Sequence, residues 1–516
     1  MGKIRITGMN SGLDTDAMVK ELVNAYEKQG EKYTKAKTKT EWKQEAWNTL
    51  NGKIKNFFTK QVDKMKFSSA YSKKKTTVSD SSKASVIASN SAVNGTQTLK
   101  INKLAKAGYL TGGELKTDAK GNAVTKNTTL ADLGYTGGST TITIGKGPAA
   151  EEGQDYVSNT SKSFEVSGDT TLEEFANFVS AAGYNASFDE GNGRFFISSK
   201  ESGSSNNFEF ISEGGGSTIE GLLKLKETPG VQGGASKING EDAEIELNGA
   251  TFKSSTNNFS INGLTITAKD VTSGTETLSL VTDTDYDEIY DNVKNFLKEY
   301  NSLINEMDKL YNAASSKGYE PLTSEEKDAM TDDEIEKWES KIKDSLLRSD
   351  SELDTIASAM RQSMLSAFDI GGKTYSLSSF GINTLGYFNA ADNEKNAYHI
   401  DGDSDDASTS GNEDKLRAMI ASNPEATASF FQKLSSKLYD AMNKIQGTSN
   451  NYTSYGSFFS DKKIKSDYEE QEKQVTKWED YVAKQEDKYY KQFTAMESAM
   501  SSLNSQQSYI SQLFAG

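Results

Sequence analysis

Residues 475–513 read VTKWEDYVAKQEDKYYKQFTAMESAMSSLNSQQSYISQL. One column at heptad spacing is Val475, Val482, Tyr489, Met496, Leu503 and Ile510, apolar at every step. A helix returns to the same face about every 3.6 residues, so this sustained column predicts one long amphipathic helix. The partner column, Trp478, Gln485, Gln492, Ala499, Gln506 and Leu513, is half polar. Phe493 and Met500 add apolar surface one position beyond it. The stripe therefore drifts, which suits a multi-helix assembly better than a two-stranded zipper. A helical hairpin within one chain is the alternative.

The other end of the chain repeats the theme. Val19, Tyr26, Tyr33, Thr40, Trp47 and Ile54 form one column, and Leu22, Gln29, Ala36, Lys43, Leu50 and Phe57 its partner. Gln29, Thr40 and Lys43 interrupt this seam, and the only glycines in 18–66 are Gly30 and Gly52. Ser11 to Asp16 supplies capping and acidic residues just before the periodic run. The middle differs. Period-2 or β-branched runs at Thr140–Ile144, Arg194–Ser198, Glu244–Leu247, Phe259–Thr267 and Thr277–Val281 read as strands between Gly- and Ser-rich turns. Thr170 with Glu173 reads as a capping box opening one helix among them. Helix returns near Asp285 with the stripe Ile289, Val293, Phe296, Leu297, Tyr300, Leu303, Ile304 and Met307. Thr323 with Glu326, Thr331 with Glu334, and Asn423 with Pro424 mark further helix starts.

The fold class expected is a multidomain α+β protein. Its N- and C-terminal helices form a coiled-coil or helical-bundle stalk, and mainly antiparallel β domains are inserted between them. The expected boundaries are 1–42 with 468–516 for a terminal coiled-coil leg and 43–75 with 283–467 for a helical domain with a small β part. Residues 76–108 with 225–282 make a β domain, and 109–224 an inserted β-rich domain. At about 150 residues per domain, 516 residues predict three or four domains.

Composition narrows the function. Lys plus Arg is 58 against 74 for Asp plus Glu, a formal net charge of −16. That argues against a nucleic-acid binder, which needs a basic face. Cysteine is absent and His399 is the single histidine, so thiolate and multi-histidine chemistry is excluded. The hydrophobic fraction is 34% and no apolar run is long enough to cross a membrane. The first residues carry no apolar core of a cleaved signal peptide. Segment 18–66 is lysine-rich and 283–361 is acidic, so attraction between them is one reading and solvated helix faces the other. Asp401-Gly402-Asp403-Ser404-Asp405 starts like a calcium loop, but Asp406 stands where glycine is needed and Asn412 where glutamate is needed. Gly145-Lys146 lacks the other positions of a phosphate loop. His399 beside Asp401 has no nucleophile elbow or oxyanion motif with it. No catalytic, cofactor or metal residues are expected, and the chain is not expected to be an enzyme.

The ends carry a further signal. Ile6-Thr7-Gly8-Met9-Asn10-Ser11-Gly12-Leu13-Asp14-Thr15-Asp16, then Glu41-Trp42-Lys43-Gln44-Glu45-Ala46-Trp47, resemble the opening of the bacterial flagellar filament capping family, FliD or hook-associated protein 2. Gly95–Leu99, Thr170–Leu172 with Ala186–Asp189, Ile261–Ile266, Leu346–Asp350 and Phe493–Ile510 are similar to later family segments, in family order. Segments 109–165 and 401–414 depart from the pattern, so no role carries over there. The resemblance implies a secreted structural protein at the filament tip, exported by the flagellar type III route without signal cleavage. It implies a homo-oligomeric cap, often a pentamer, that promotes flagellin folding and insertion and prevents monomer leakage. Its implied partners are further copies of itself, flagellin, the hook-associated junction protein and an export chaperone on the C-terminal helix. Neither nucleic acid nor membrane insertion is expected. A flagellin or junction protein, or a tip adhesin binding host mucin or glycan, are the alternatives.

Terminal helices of one copy are expected to leave their stripes unburied until assembly. The residues expected to make the oligomer and filament contacts are Val19, Leu22, Tyr26, Val475, Trp478, Val482, Tyr489, Met496, Leu503 and Ile510. A full-length oligomer of about four to six copies that collapses to monomer in a 68–460 fragment would support this. The interrupted seam keeps contacts weak enough to rearrange. Replacing Gln485 and Gln492 by leucine should therefore tighten the cap and slow filament growth; unchanged filament length in the double variant would contradict this.

Overall fold

The computed structural model describes residues 12–147, 162–212, 219–447 and 449–514. The opening motif Ile6–Ser11 and the Gly214–Gly216 turn lie outside the described residues. The chain divides into two compact units, one built from residues up to Tyr71 with those from Tyr286 onward, the other from Ser72–Asp285.

The first unit begins with helix α1 (Thr15–Asn56). Asp14 caps it by accepting from the Ala17 amide at 2.9 Å. The helix widens into a π turn at Phe57–Val62 before a last short turn, α2 (Asp63–Met65). The widening buries both Phe57 and Phe58, which stack on Phe296 and Tyr439 with ring centroids 5.8 and 4.7 Å apart.

The second unit is mainly antiparallel sheet. Its strands are β1 (Lys74–Val78), β2 (Ala84–Ala88), β3 (Gly95–Lys103), β4 (Ala107–Thr111), β5 (Thr140–Lys146) and β6 (Lys162–Val166). Helix α3 (Leu172–Ala181) follows, then β7 (Tyr184–Asp189), β8 (Arg194–Ser202), β9 (Phe208–Ser212) and the single turn α4 (Ile219–Leu222). The last strands are β10 (Ser236–Ile238), β11 (Ala243–Leu247), β12 (Ala250–Ser254), β13 (Asn258–Ile261), β14 (Leu264–Ala268) and β15 (Leu278–Thr284). They form sheets ordered β1-β15-β3-β11-β12, β10-β4-β8-β7, β13-β14-β2 and β6-β5-β9. One core gathers Leu99, Ile101, Ile245, Phe259, Ile266 and Leu280; another centres on Phe175, Phe195, Phe208 and Ile144.

Two local expectations need correction here. Phe259–Thr267 is not one strand but the hairpin β13-β14. Asn262 and Gly263 take φ of 46° and 80°, the left-handed pair that a tight hairpin turn requires. The capping box of α3 is Thr171 with Glu174, one residue later than the sequence pattern suggested. Thr170 is engaged elsewhere, its hydroxyl accepting from the Ser167 amide at 3.0 Å.

The chain then returns to the first unit through α5 (Tyr286–Tyr311), α6 (Ser324–Asp328), α7 (Asp332–Asp344) and α8 (Ser351–Met364). Two small hairpins, β16 (Phe368–Ile370) with β17 (Lys373–Tyr375) and β18 (Ile382–Asn383) with β19 (His399–Ile400), precede α9 (Lys415–Ser422) and α10 (Pro424–Gln446). The chain ends in α11 (Asp461–Phe514). The capping boxes at Thr323 and Thr331 and the Asn423 cap ahead of Pro424 form as the sequence predicts. The α5 stripe meets Trp47, Leu50, Ile54, Val62 and Met65 in a core with Met360, Phe380, Phe430 and Phe431. The lysine-rich and acidic segments do pair: Lys35 with Glu326, Lys43 with Asp350 and Lys53 with Glu306, at 2.8, 3.0 and 2.7 Å. Each is partly or largely exposed, so together they orient helices more than they stabilise them.

Trp47 is fully buried and lies parallel to Phe459, with centroids 5.1 Å apart and planes 3° from parallel. A 68–460 fragment would therefore lose a wall of the core, and its collapse would not report on the terminal helices alone. Trp47→Ala should lower the unfolding free energy of this unit by about 3–5 kcal/mol. Denaturant unfolding followed through Tyr and Trp emission would measure it, and a loss under about 1 kcal/mol would contradict the packing.

Candidate filament and oligomer interface

Helices α1 and α11 run antiparallel, and one face of each is made for the other. Val19, Val23, Tyr26, Gly30 and Tyr33 recur at three- and four-residue spacing along α1. Tyr26 lies against Tyr489 and Tyr481, with ring centroids 6.5 and 5.8 Å away. Tyr33 packs on Trp478 at 5.7 Å, and Trp478 on Tyr481 at 5.1 Å. The Trp478 indole N–H donates to the Tyr26 carbonyl at 2.9 Å. That approach is open only because residue 30 has no side chain: a Cβ there would overlap the indole ring. Further along, Lys37 reaches Glu472 at 3.1 Å and lies over the Tyr468 ring. The hydrogen bond from Lys37 to Glu472 holds the ammonium above its usual range. The hydroxyls of Tyr26 and Tyr489 meet at 3.3 Å, and this hydrogen bond raises Tyr489 above the usual phenol range. Both contacts favour the protonated groups present at neutral pH.

This seam corrects the expectation that one copy leaves its stripes bare. Val19 is 1% exposed, and Tyr26, Val475, Trp478, Val482 and Tyr489 are half-buried within the chain. Leu22, Met496, Leu503 and Ile510 are exposed. The ten expected contact residues thus fall into two groups, which helical periodicity alone does not separate. Gly30, Tyr33 and Tyr481 belong to the seam although none was among the ten. Tyr33 carried a signal as a member of the α1 column, and Gly30 as an unexplained glycine in an otherwise helical run; Tyr481 stood in neither column of α11.

Beyond the seam, α11 continues with a different composition. From Ser498 to Phe514 there is no charged residue. Met500, Leu503, Tyr509, Ile510, Leu513 and Phe514 are exposed, Leu503 at 60%. Ser498, Ser502 and Ser505 turn their hydroxyls back to the carbonyls four residues before them. A polar but uncharged helix with an apolar stripe can pack against several kinds of helix without burying an unpaired charge.

The acidic loop shows a different economy. Asp403 and Asp405 grip the Lys294 ammonium at 2.6 and 2.7 Å. His399 Nδ1 meets Asp406, not Asp401, at 2.5 Å. Burial opposes ionisation of Asp406, but hydrogen bonds from His399 and the Ser408 amide outweigh it and hold its carboxyl below the usual range. These carboxylates are spent on fastening the loop to α5 and to itself. Among the described residues no cluster of His, Asp and Glu is arranged to hold a metal ion, and no helix is long and apolar enough to cross a membrane.

Residues 240–505 match the family described as flagellar hook-associated protein 2 C-terminus, and residues 11–108 its N-terminus counterpart. The chain belongs to the flagellar hook-associated protein 2 family. This is the filament cap family, and membership makes the chain a structural protein of the flagellum. A flagellar hook-associated protein 2 of Halalkalibacterium halodurans is 25% identical and is covered over 100% of its length by 99% of this chain. An A-type flagellar hook-associated protein 2 of Pseudomonas aeruginosa is 25% identical over 58% of this chain and 62% of its own. Among solved structures, the D1-D2-D3 domains of the flagellar cap protein FliD from Escherichia coli align at TM-score 0.49 and 17% identity, covering 78% of this chain and 97% of that one. The observed architecture is the expected α+β one, with terminal helices and antiparallel β parts inserted between them.

The Gly30–Trp478 contact yields a sign test. Alanine exceeds glycine by about 1 kcal/mol in a helix interior, so Gly30→Ala would ordinarily stabilise. Here the added methyl should instead lower the thermal midpoint. In a Trp478→Ala background the same change should raise stability by about 0.5–1 kcal/mol. Thermal melts read by circular dichroism would show the reversal; one sign in both backgrounds would refute the contact.

Proposed function

We propose that several copies of this chain form the cap at the distal end of the flagellar filament. There they promote folding and insertion of flagellin and prevent its loss as monomer. The observation that carries this reading is the uncharged, apolar-striped end of α11, which outlasts the seam with α1. A long exposed stripe of Met500, Leu503, Ile510 and Leu513 is costly in water unless another helix covers it. In the cap those covers are neighbouring copies and the terminal helices of flagellin. During export, a chaperone on the C-terminal helix would cover the same stripe, and the flagellar type III route is the proposed path. A hook-associated junction protein is the surface on which the first cap would sit. A pentamer is the proposed copy number.

Residues 1–42 with 468–516 form the filament-inserting leg in this reading, and 43–75 with 283–467 the helical domain beside it. Residues 76–108 with 225–282 and the inserted 109–224 are the β-rich parts. The seam sets the division of labour along the leg. Tyr26, Tyr33, Trp478 and Tyr489 keep α1 and α11 together within a copy, while Leu22, Met496, Leu503 and Ile510 face outward for partners. Matches to one family at both ends, and to one relative over its whole length, leave the flagellin, junction-protein and adhesin alternatives without support of their own.

Leu503→Asp with Ile510→Asp should leave the monomer folded, because both side chains are exposed. In a strain whose own gene is replaced by this variant, filaments should shorten strongly and flagellin should accumulate in the medium. Flagellin in the supernatant and filament length by electron microscopy measure both effects. Normal filaments would overturn the role given to the α11 end.

A further inference from the structure

Lysines gather at one cleft of the Ser72–Asp285 unit, in a chain whose net charge is −16. The cleft has a volume of about 490 Å³, within the range of small-molecule sites. Its wall follows from the turn between α3 and β7. Gly183, at φ 104°, lets the chain reverse straight from helix into strand, and Tyr184 is the first residue of that strand. In register Tyr184 stands beside Ser199 on β8, which Lys200 and Glu201 follow. Lys162 lines the cleft from the start of β6 and Lys146 from the end of β5.

Polar groups in this cleft have capacity that the chain does not use. Tyr184 is 5% exposed and its ring packs on Phe208 at 5.0 Å, yet its hydroxyl makes no hydrogen bond among the described residues. Burial pushes the phenol above its usual range, with no partner to offset it. A buried hydroxyl without a partner is costly, so a ligand that accepts from it gains. Asn206, 9% exposed, gives one amide hydrogen to the Ser202 carbonyl at 2.7 Å and keeps a second. Lys162 and Lys200 are exposed and form no ion pair among the described residues. Set against Glu201 they leave one positive charge, which the roughly half negative charge at the end of α3 does not cancel. The cleft beside Arg361 in the first unit differs, because Asp308 and Asp354 already share its guanidinium at 3.0 and 3.2 Å.

We propose that this cleft binds a small hydroxylated molecule through one phosphate or sulfate ester group, which Lys162, Lys200 and the Tyr184 hydroxyl receive. Donors come from three strands, β6, β7 and β8, which suits a tetrahedral oxyanion better than a flat carboxylate. Lysine ammoniums serve such a group as point charges, and a hydrogen bond from tyrosine to a charged oxygen is stronger than one to a neutral acceptor. Glu201 shapes the rest of the ligand. It repels a second acidic group and accepts hydrogen bonds from hydroxyls, and Asn206 adds a donor beside it. The ligand is therefore a monoester with hydroxyls, not a polyanion.

The test titrates the full-length chain with glycerol phosphate, inorganic phosphate and glycerol, each followed by ligand-observed NMR. Glycerol phosphate should saturate with a Kd of about 1 mM or tighter, inorganic phosphate should bind at least about threefold more weakly, and glycerol should not bind. Lys162→Gln with Lys200→Gln should weaken glycerol phosphate at least about tenfold. Lys100→Gln with Lys103→Gln removes the same charge from β3 and should change it less than about twofold. Tyr184→Phe should weaken binding about three- to tenfold and leave the thermal midpoint unchanged or higher, because the hydroxyl has no partner to lose. Absence of saturation below about 20 mM would overturn the site. So would an equal loss from the Lys100 and Lys103 pair, which would reduce the effect to general attraction. Inorganic phosphate that binds as tightly as the ester would overturn the organic ligand in favour of the free ion. A lowered midpoint with unchanged binding in Tyr184→Phe would overturn the part given to that hydroxyl.

Discussion

The antiparallel pairing of α1 with α11 is the contact on which the rest of the first unit depends. One helix serves two structures. Its later part, Trp47 to Ile54, is a wall of the aromatic core, and its earlier part is half of the terminal seam. Trp47 on Phe459 joins the two ends of the chain at the base of the seam, and Trp478 over Gly30 holds them together further out. A shift of one residue between the helices would carry the indole from glycine onto a side chain. The register is thus set by steric fit, which a drifting apolar stripe cannot supply by itself.

Charge is distributed along the chain with the same logic. Lysines of α1 reach acidic side chains from Glu306, Glu326, Asp350 and Glu472. Except at Asp350, whose side chain is buried, these pairs are partly or largely exposed and individually weak, but they give the helices a preferred orientation. Charge disappears from Ser498 onward among the described residues of α11. A structural protein working through many weak contacts gains from this separation. Charged surfaces keep copies soluble and apart, while uncharged ones can be buried and released at low cost.

The inserted β unit shows how local chemistry fixes topology. Asn248-Gly249 and Asn262-Gly263 adopt positive φ in succession and close tight hairpins. The second of these splits a run of alternating residues that reads as one strand if the turn is passed over. The cap of α3 moved by one residue for a similar reason: two adjacent threonines compete for the same role, and the Ser167 amide had already engaged the first. Both differences come from hydrogen bonds that reach only a few residues, yet depend on which neighbour is already satisfied.

Much of this protein was legible in its residues. Heptad columns gave the terminal helices, period-2 runs the strands, and capping residues most helix starts. The absence of cysteine and the single histidine excluded whole classes of chemistry, and the opening and closing motifs pointed to the family. The sequence could not say which apolar positions of α1 and α11 are used up within one chain. Val19 and Leu22 look equivalent on a helical wheel, yet one is buried and the other exposed. Only the tertiary structure decided this, because periodicity defines a face, whereas burial depends on how far the partner helix extends and where a glycine lets an indole approach. The acidic loop makes the same point: its aspartates start like a calcium loop that the sequence does not complete, and only the fold shows what holds them, Lys294 for Asp403 and Asp405 and His399 for Asp406.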